Sequence, residues 1–191
     1  MNLYLIRHGN TQWNTLNKIQ GSQDIPLNQK GIDEAKGLKV KIENLPIEIV
    51  FSSPLQRAVQ TGKIINSARL PFYIVEDLKE LDFGEWEGLS WQEVMNQYPL
   101  YLNQHTIKGY ANPPGGETYN QASVRIMNMT HFILRQPYYH IALITHRAVI
   151  RFMLSYLFKE SLERISTFEL PNTAIIKVTL EKGHAMNWKY L

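Results

Sequence analysis

An arginine, a histidine and a glycine stand in a row at Arg7-His8-Gly9, directly after the apolar run Leu3-Tyr4-Leu5-Ile6. Neutral imidazole is a nucleophile at ordinary pH without a metal to activate it, and guanidinium presents a planar fork that fits phosphate oxygens. The pair suggests phosphoryl transfer to the imidazole of His8. The same arrangement recurs late in the chain, where the apolar run His140 to Thr145 ends in His146. A second cation, Arg57, follows Ser52-Ser53-Pro54 near an expected helix start, where free backbone N–H groups favour an anion. Glu80 lies in the acidic and aromatic run Leu78 to Gly88 and offers a carboxyl group that can supply a proton.

These residues can meet only if strands deliver them to one rim. Short apolar runs bounded by polar turns read as buried strands of a parallel sheet, whose active sites gather at the carboxyl ends. Strands are expected at 3–6, 47–51, 72–75 and 140–145, with two late ones at 174–180 and 185–190 joined by a Lys182-Gly183 turn. A polar, turn-rich stretch is expected from Gly9 to Gln29. Helical spacing appears in Ile32, Ala35, Leu38 and Ile42, again in Leu55, Ala58, Val59, Ile64 and Ile65, and over 118–134 and about 148–158. Ser52 or Ser53 is expected to cap the second of these helices, with Pro54 in its first turn. The alternation implies an α/β fold: a three-layer α/β/α sandwich with a mostly parallel central sheet. Residues 1–191 read as one domain, with a small, mainly helical insertion at about 77–117 that roofs the site and holds a helix at 91–98. Trp86, Trp91, Tyr98 and Tyr101 are expected to form the small core of that insertion.

In order, Arg7-His8-Gly9, Gln20-Gly21 to Pro26-Leu27, Ser53-Pro54 to Arg57, Glu80 with Gly84 to Gly88, Gly115-Gly116-Glu117 and Thr145-His146 resemble the histidine phosphatase superfamily over nearly the full length. The likeness is to the phosphoglycerate mutase-like branch, with its broad-specificity and alpha-ribazole phosphatases. It implies that His8 attacks phosphorus to give a phosphohistidine, which water then cleaves. Arg7, Arg57 and His146 are implied to compensate the phosphoryl charge, His146 as a protonated donor, while Glu80 protonates the leaving group. Asn14 and Gln20 match positions whose side chains touch the phosphate, and the Gly21 backbone can approach it closely. His8 needs its second ring nitrogen to donate to a nearby carbonyl, and neighbouring cations should lower its pKa. Asn10 stands where the family commonly has Glu or Gln. Arg147 stands where it often has Gly: turned inward it adds a cation for a second anionic group, turned outward it only starts a helix.

Composition narrows the classes. With 191 residues, 44% of them hydrophobic, the chain can bury one sizeable core. Zero cysteines exclude a disulfide scaffold, a thiolate zinc site and a cysteine nucleophile. His105, His131, His140 and His184 match no motif, and no HExxH helix occurs, so neither metal nor cofactor is expected. The net charge of +3 is scattered, which argues against nucleic acid. No run approaches the about 18 apolar residues of a membrane span, and no signal-like start precedes the first strand, so a cytoplasmic protein is expected. The expected partner is a small phosphorylated metabolite, with a homodimer left open. Hydrolysis is the leading reading, ahead of mutase-type return of the phosphoryl group to another hydroxyl and of a silent phosphate-binding module.

Overall fold

Residue-by-residue alternation in the central strands builds the layers. The computed structural model describes residues 1–66, 69–107, 110–181 and 184–191. The first half holds β1 (Asn2–Arg7), α1 (Gln12–Thr15), α2 (Gln29–Ile42), β2 (Ile49–Ser52), α3 (Gln56–Ile65) and β3 (Phe72–Ile74). After the 3₁₀ turns Glu76–Leu78 and Gly84–Trp86 come α4 (Trp91–Gln97), α5 (Pro99–His105) and a small ribbon of β4 (Thr106–Ile107) and β5 (Tyr110–Ala111). The chain continues through α6 (Tyr119–Leu134), β6 (His140–Thr145), α7 (Arg147–Phe158), α8 (Leu162–Ser166), β7 (Ile175–Glu181) and β8 (His184–Tyr190).

Six strands form one sheet in the order β3-β2-β6-β1-β7-β8, the first four mutually parallel and the last two antiparallel additions. Leu3, Leu5, Ile141 and Leu143 point to one face and pack with Ile126, Met129, Val149 and Met153 of α6 and α7. Tyr4, Ile6, Ala142 and Ile144 point to the other and pack with Leu38 and Ile42 of α2 and Ala58 and Ile65 of α3. Side chains of a strand alternate between faces, so a strand buried on both sides reads as an unbroken apolar run. Truncating one such side chain, as in Leu143→Ala, costs about 2–5 kcal/mol. The expected α/β/α sandwich with a mostly parallel sheet is what forms. Among the described residues no helix is long and apolar enough to cross a membrane.

Several local expectations are corrected. Helix α3 is capped by neither serine: Leu55 is its N-cap, with φ −65° and ψ 135° and no side-chain cap bond, and Pro54 lies outside the helix. The stretch from Gly9 to Gln29 is not all turn, because Thr11 and Asn14 form a reciprocal capping box around α1. Helices α5 and α8 and the β4–β5 ribbon were not expected, each being too short to show a period. The Lys182-Gly183 turn lies outside the described residues. Trp86 is fully buried with Val94 and Ile19 in a separate small core, against which Tyr98 and Tyr101 pack, while Trp91 is 43% exposed.

Candidate active site

Sheet register brings the two histidines together. Arg7 of β1 pairs with Thr145 of β6 in parallel, so His8 and His146 leave neighbouring strands at the same level, and the His8 N–H donates to the Thr145 carbonyl at 3.1 Å. The rings lie 5.1 Å apart, centroid to centroid. The His8 Nδ1 is 2.7 Å from the Gly9 carbonyl oxygen. A carbonyl only accepts, so Nδ1 carries the proton and the lone pair is on Nε2. Burial pushes the His8 pKa well below the ordinary imidazole value, and the charges of Arg57 and Arg7 push it further. The ring is a neutral base with its nucleophilic nitrogen unprotonated.

Both arginines are almost entirely withdrawn from water, and burial lowers each to a pKa of about 10, which leaves them charged at neutral pH. One terminal nitrogen of Arg7 donates to the Leu170 carbonyl, while its Nε is buried with no partner among the described residues. Arg7 itself lines the cavity described below, where its charge favours an anion. Arg57 donates to the carbonyls of Gln23 at 2.6 Å and Gly21 at 2.7 Å, and its Nε donates to Nδ1 of His146 at 3.3 Å. The remaining His146 nitrogen, Nε2, lies 2.7 Å from the Ser53 hydroxyl. Burial, then Arg57, holds the His146 pKa well below its ordinary value. A protonated His146 was expected, yet an imidazole that accepts from guanidinium is neutral, and no surface of this residue is exposed. His146 stands behind the cavity rather than in its wall.

The stretch from Gln20 to Gln23 forms the next wall. Gly21 has φ +53°, and a Cβ there would come within 2.0 Å of Glu87 Oε1. Glu87 grips the stretch, accepting from the Ser22 N–H at 2.6 Å, the Ser22 hydroxyl at 3.0 Å and the Gln23 amide at 2.8 Å. Thr11 donates to Gln20 Oε1 at 2.9 Å, so the amide nitrogen of Gln20 is the end left for a ligand. Asn14 is oriented similarly: its Oδ1 accepts from Asn172 at 3.2 Å and from the Thr11 N–H at 3.2 Å. Asn10 is occupied structurally, its Oδ1 taking bonds from Asn28 at 2.8 Å and Thr15 at 3.0 Å. Gly31 at the start of α2 lets that helix touch the backbone of Asn10, since a Cβ would come within 2.0 Å of the Asn10 oxygen.

Arg7, His8, Asn14, Gln20, Gly21 and Arg57 all line one cavity of about 190 Å³. Glu80 and Arg147 line it too, and the segment between β3 and α6 adds Phe83, Trp91, Tyr110 and Ala111. Glu80 Oε2 is 3.5 Å from the Ala148 N–H at the start of α7, and its Oε1 accepts from the Leu81 N–H at 3.1 Å. Arg147 is exposed at the cavity rim as the first residue of α7, in helical backbone, so no glycine is needed there. Arg151, one turn further, also lines the cavity; it donates to the Ser166 carbonyl at 3.1 Å while its Nε is buried with no partner among the described residues.

Sequence reasoning missed Ser53 as the partner of His146, Glu87 as the anchor of the 20–23 stretch, Arg151, and Asn172, which donates to the His8 carbonyl at 3.0 Å. Only Arg151 left a signal, its spacing of four from Arg147 on a helix. Among the described residues no three His, Cys, Asp or Glu side chains form a group able to hold a metal ion.

A mostly parallel sheet carrying two histidines on adjacent strand ends, with two buried arginines beside them, defines a phosphoryl-handling α/β fold. The chain belongs to the histidine phosphatase superfamily (branch 1), whose family model matches residues 3–189. It is 39% identical over 107 residues to the uncharacterized phosphatase PhoE of Bacillus subtilis, a match covering 54% of this chain and about half (55%) of that relative. It is 32% identical over 166 residues to the adenosylcobalamin/alpha-ribazole phosphatase of Escherichia coli, covering 81% of this chain and 78% of that one. The crystal structure of phosphoserine phosphatase from Entamoeba histolytica in complex with 3-phosphoglyceric acid superposes with a TM-score of 0.86 at 30% identity, over 99% of this chain and 95% of that one.

Proposed function

We propose that this protein is a metal-independent phosphatase that hydrolyses a small phosphomonoester through a phosphohistidine on His8. The observation that carries the reading is the 2.7 Å bond from His8 Nδ1 to the Gly9 carbonyl, which fixes the tautomer with Nε2 free to attack. In the first step the Nε2 lone pair forms a bond to phosphorus and the ester P–O bond breaks. Glu80 in its acid form gives its proton to the departing oxygen. Arg7 and Arg57, which both line the cavity, supply positive charge to the equatorial oxygens, with the amides of Asn14 and Gln20 beside them. In the second step water attacks phosphorus, the P–N bond breaks, and ionised Glu80 takes the water proton. Inorganic phosphate, alcohol and neutral His8 are the products.

The cations at the rim support a substrate with a second anionic group. Arg147, Arg151 and Lys18 line the cavity beyond the phosphoryl pocket, and Trp91 offers a flat face nearby. A phosphorylated acid or a bisphosphate fits that charge, in keeping with the phosphorylated acid bound in the Entamoeba relative. The test is phosphate release from radiolabelled p-nitrophenyl phosphate in EDTA by the wild type and by His8→Ala, with quenching in alkaline denaturant to trap label on protein. Turnover and acid-labile, base-stable label confined to the wild type are expected. Equal release by both proteins would sink the reading, and with 3-phosphoglycerate as substrate, transfer to its second hydroxyl in place of phosphate release would make the protein a mutase.

A further inference from the structure

We infer that Arg125 is the positioning residue for the proton donor Glu80, through a clamp that ties both ends of the segment between β3 and α6 to the middle of α6. This rests on the reading of Glu80 given above. Arg125 is only 21% exposed and its fork is fully engaged: Nε and one terminal nitrogen hold the two carboxylate oxygens of Glu117 at 2.8 and 2.7 Å. The other terminal nitrogen donates to the carbonyls of Asp77 at 2.7 Å and Lys79 at 3.1 Å. Glu117 ends the segment and the Asp77–Lys79 stretch begins it, one residue before Glu80. A planar guanidinium is the side chain able to meet a carboxylate edge-on and two carbonyls together, which an ammonium cannot reproduce.

The surrounding backbone is arranged so that the clamp sets the Glu80 position. Leu78 and Leu81 are fully buried on either side, and the Leu78 carbonyl accepts from the Thr145 hydroxyl at 2.6 Å. The Glu117 N–H donates to the Asp82 carbonyl at 2.8 Å, closing the two strands of the segment on each other. The Glu80 carboxylate itself has weak holds, a 3.1 Å bond from its neighbouring N–H and a 3.5 Å approach to the Ala148 N–H. Its placement therefore depends on the backbone beneath it, and the Lys79 carbonyl is the nearest point at which that backbone is gripped from outside the segment.

A displaced acid hurts substrates in proportion to their need for it. A nitrophenolate leaves without a proton, whereas an aliphatic alkoxide must be protonated as it departs. We therefore compare kcat/KM, which reports formation of the phosphohistidine, for p-nitrophenyl phosphate and glycerol 2-phosphate. Arg125→Gln is expected to lose about 10- to 10²-fold on glycerol 2-phosphate and little on p-nitrophenyl phosphate, with Arg125→Lys between it and the wild type. If Arg125→Gln does not fold, Glu117→Gln, which keeps the side-chain length but sets an amide N–H against one of the two Arg125 donors, carries the same expectation. Equal losses on both substrates, or none on either, would overturn the proposal. Glu80→Gln is the control. A selective loss there, with none in the clamp variants, would refute the clamp alone, whereas an unselective Glu80→Gln would remove the reading of Glu80 and the clamp with it.

Discussion

Arg57 donates through Nε to Nδ1 of His146 at 3.3 Å, and that single bond decides the protonation of the second histidine. Since the acceptor nitrogen has no proton, the proton of the neutral ring is on Nε2 and points to the Ser53 hydroxyl 2.7 Å away. The arrangement makes Ser53 part of the site's support. Ser53→Ala leaves a buried N–H without a partner and should cost about 1–3 kcal/mol of stability. Chemical denaturation measures the cost, and nitrogen-15 shifts of the imidazole should report an Nε2–H tautomer in the wild type. An unchanged stability together with an Nδ1–H signal would contradict this assignment.

Two buried neutral histidines tie stability to pH. For both His8 and His146 the folded pKa lies below the unfolded one, first because of burial. Below the unfolded value near 6.5 the unfolded chain binds protons that the folded chain refuses, so stability is complete above that pH and falls as the medium is acidified towards the folded values. Each histidine contributes a slope of roughly 1.4 kcal/mol per pH unit within this window. The His8→Asn variant should retain the contribution of His146 and show a slope smaller by about one proton. Urea titrations at a series of pH values between 6.5 and 5 measure it, and equal slopes for the two proteins would refute the assignment of a depressed pKa to His8.

The residues at strand ends were legible because one rule places them all. An apolar run buried on both faces must stop where the polar rim begins, so Arg7, His8 and His146 could be located from Leu3 to Ile6 and from Ile141 to Thr145 alone. Arg57 was placed near the same rim for a partly wrong reason, since the expected serine cap is replaced by Leu55 and the serine turns to His146 instead. The supports were not legible. Glu87 meets Ser22 across 65 residues of sequence and Asn172 meets His8 across 164. Contacts of that range leave no period and no local capping pattern. The state of His146 is not legible for a related reason: a residue type allows both protonation states, and only the partner on each nitrogen selects between them.

The 20–23 stretch depends on one glycine. At φ +53° a residue with a Cβ is strained by about 1–2 kcal/mol, and at Gly21 that Cβ would also sit 2.0 Å from the Glu87 carboxylate. Gly21→Ala should push Glu87 away and release Ser22 and Gln23. The Gly21 and Gln23 carbonyls, which hold Arg57, then shift with it. Small displacements of positioning groups cost up to about 10²-fold in rate, so kcat/KM for p-nitrophenyl phosphate should fall far more than the melting temperature suggests. Wild-type activity in Gly21→Ala would show that the stretch is not needed in this conformation.

Substrate choice should follow the cations on α7. Arg147 is exposed and Arg151 half-buried, so the two differ in how much water competes with a ligand. Arg147→Gly should weaken a substrate carrying a second anionic group by a few-fold, about 1 kcal/mol or less, and the effect should fade as salt is raised. Arg151→Ala removes a more desolvated donor and should cost more, about 1.5–3 kcal/mol for a hydrogen bond to a charged group, with weaker dependence on salt. Neither substitution should alter p-nitrophenyl phosphate, which has no second anion. The measurement is the ratio of kcat/KM for a phosphorylated carboxylic acid or bisphosphate to that for p-nitrophenyl phosphate, in each variant at low and high ionic strength. A ratio that stays constant through both substitutions would mean that the rim cations do not read the substrate.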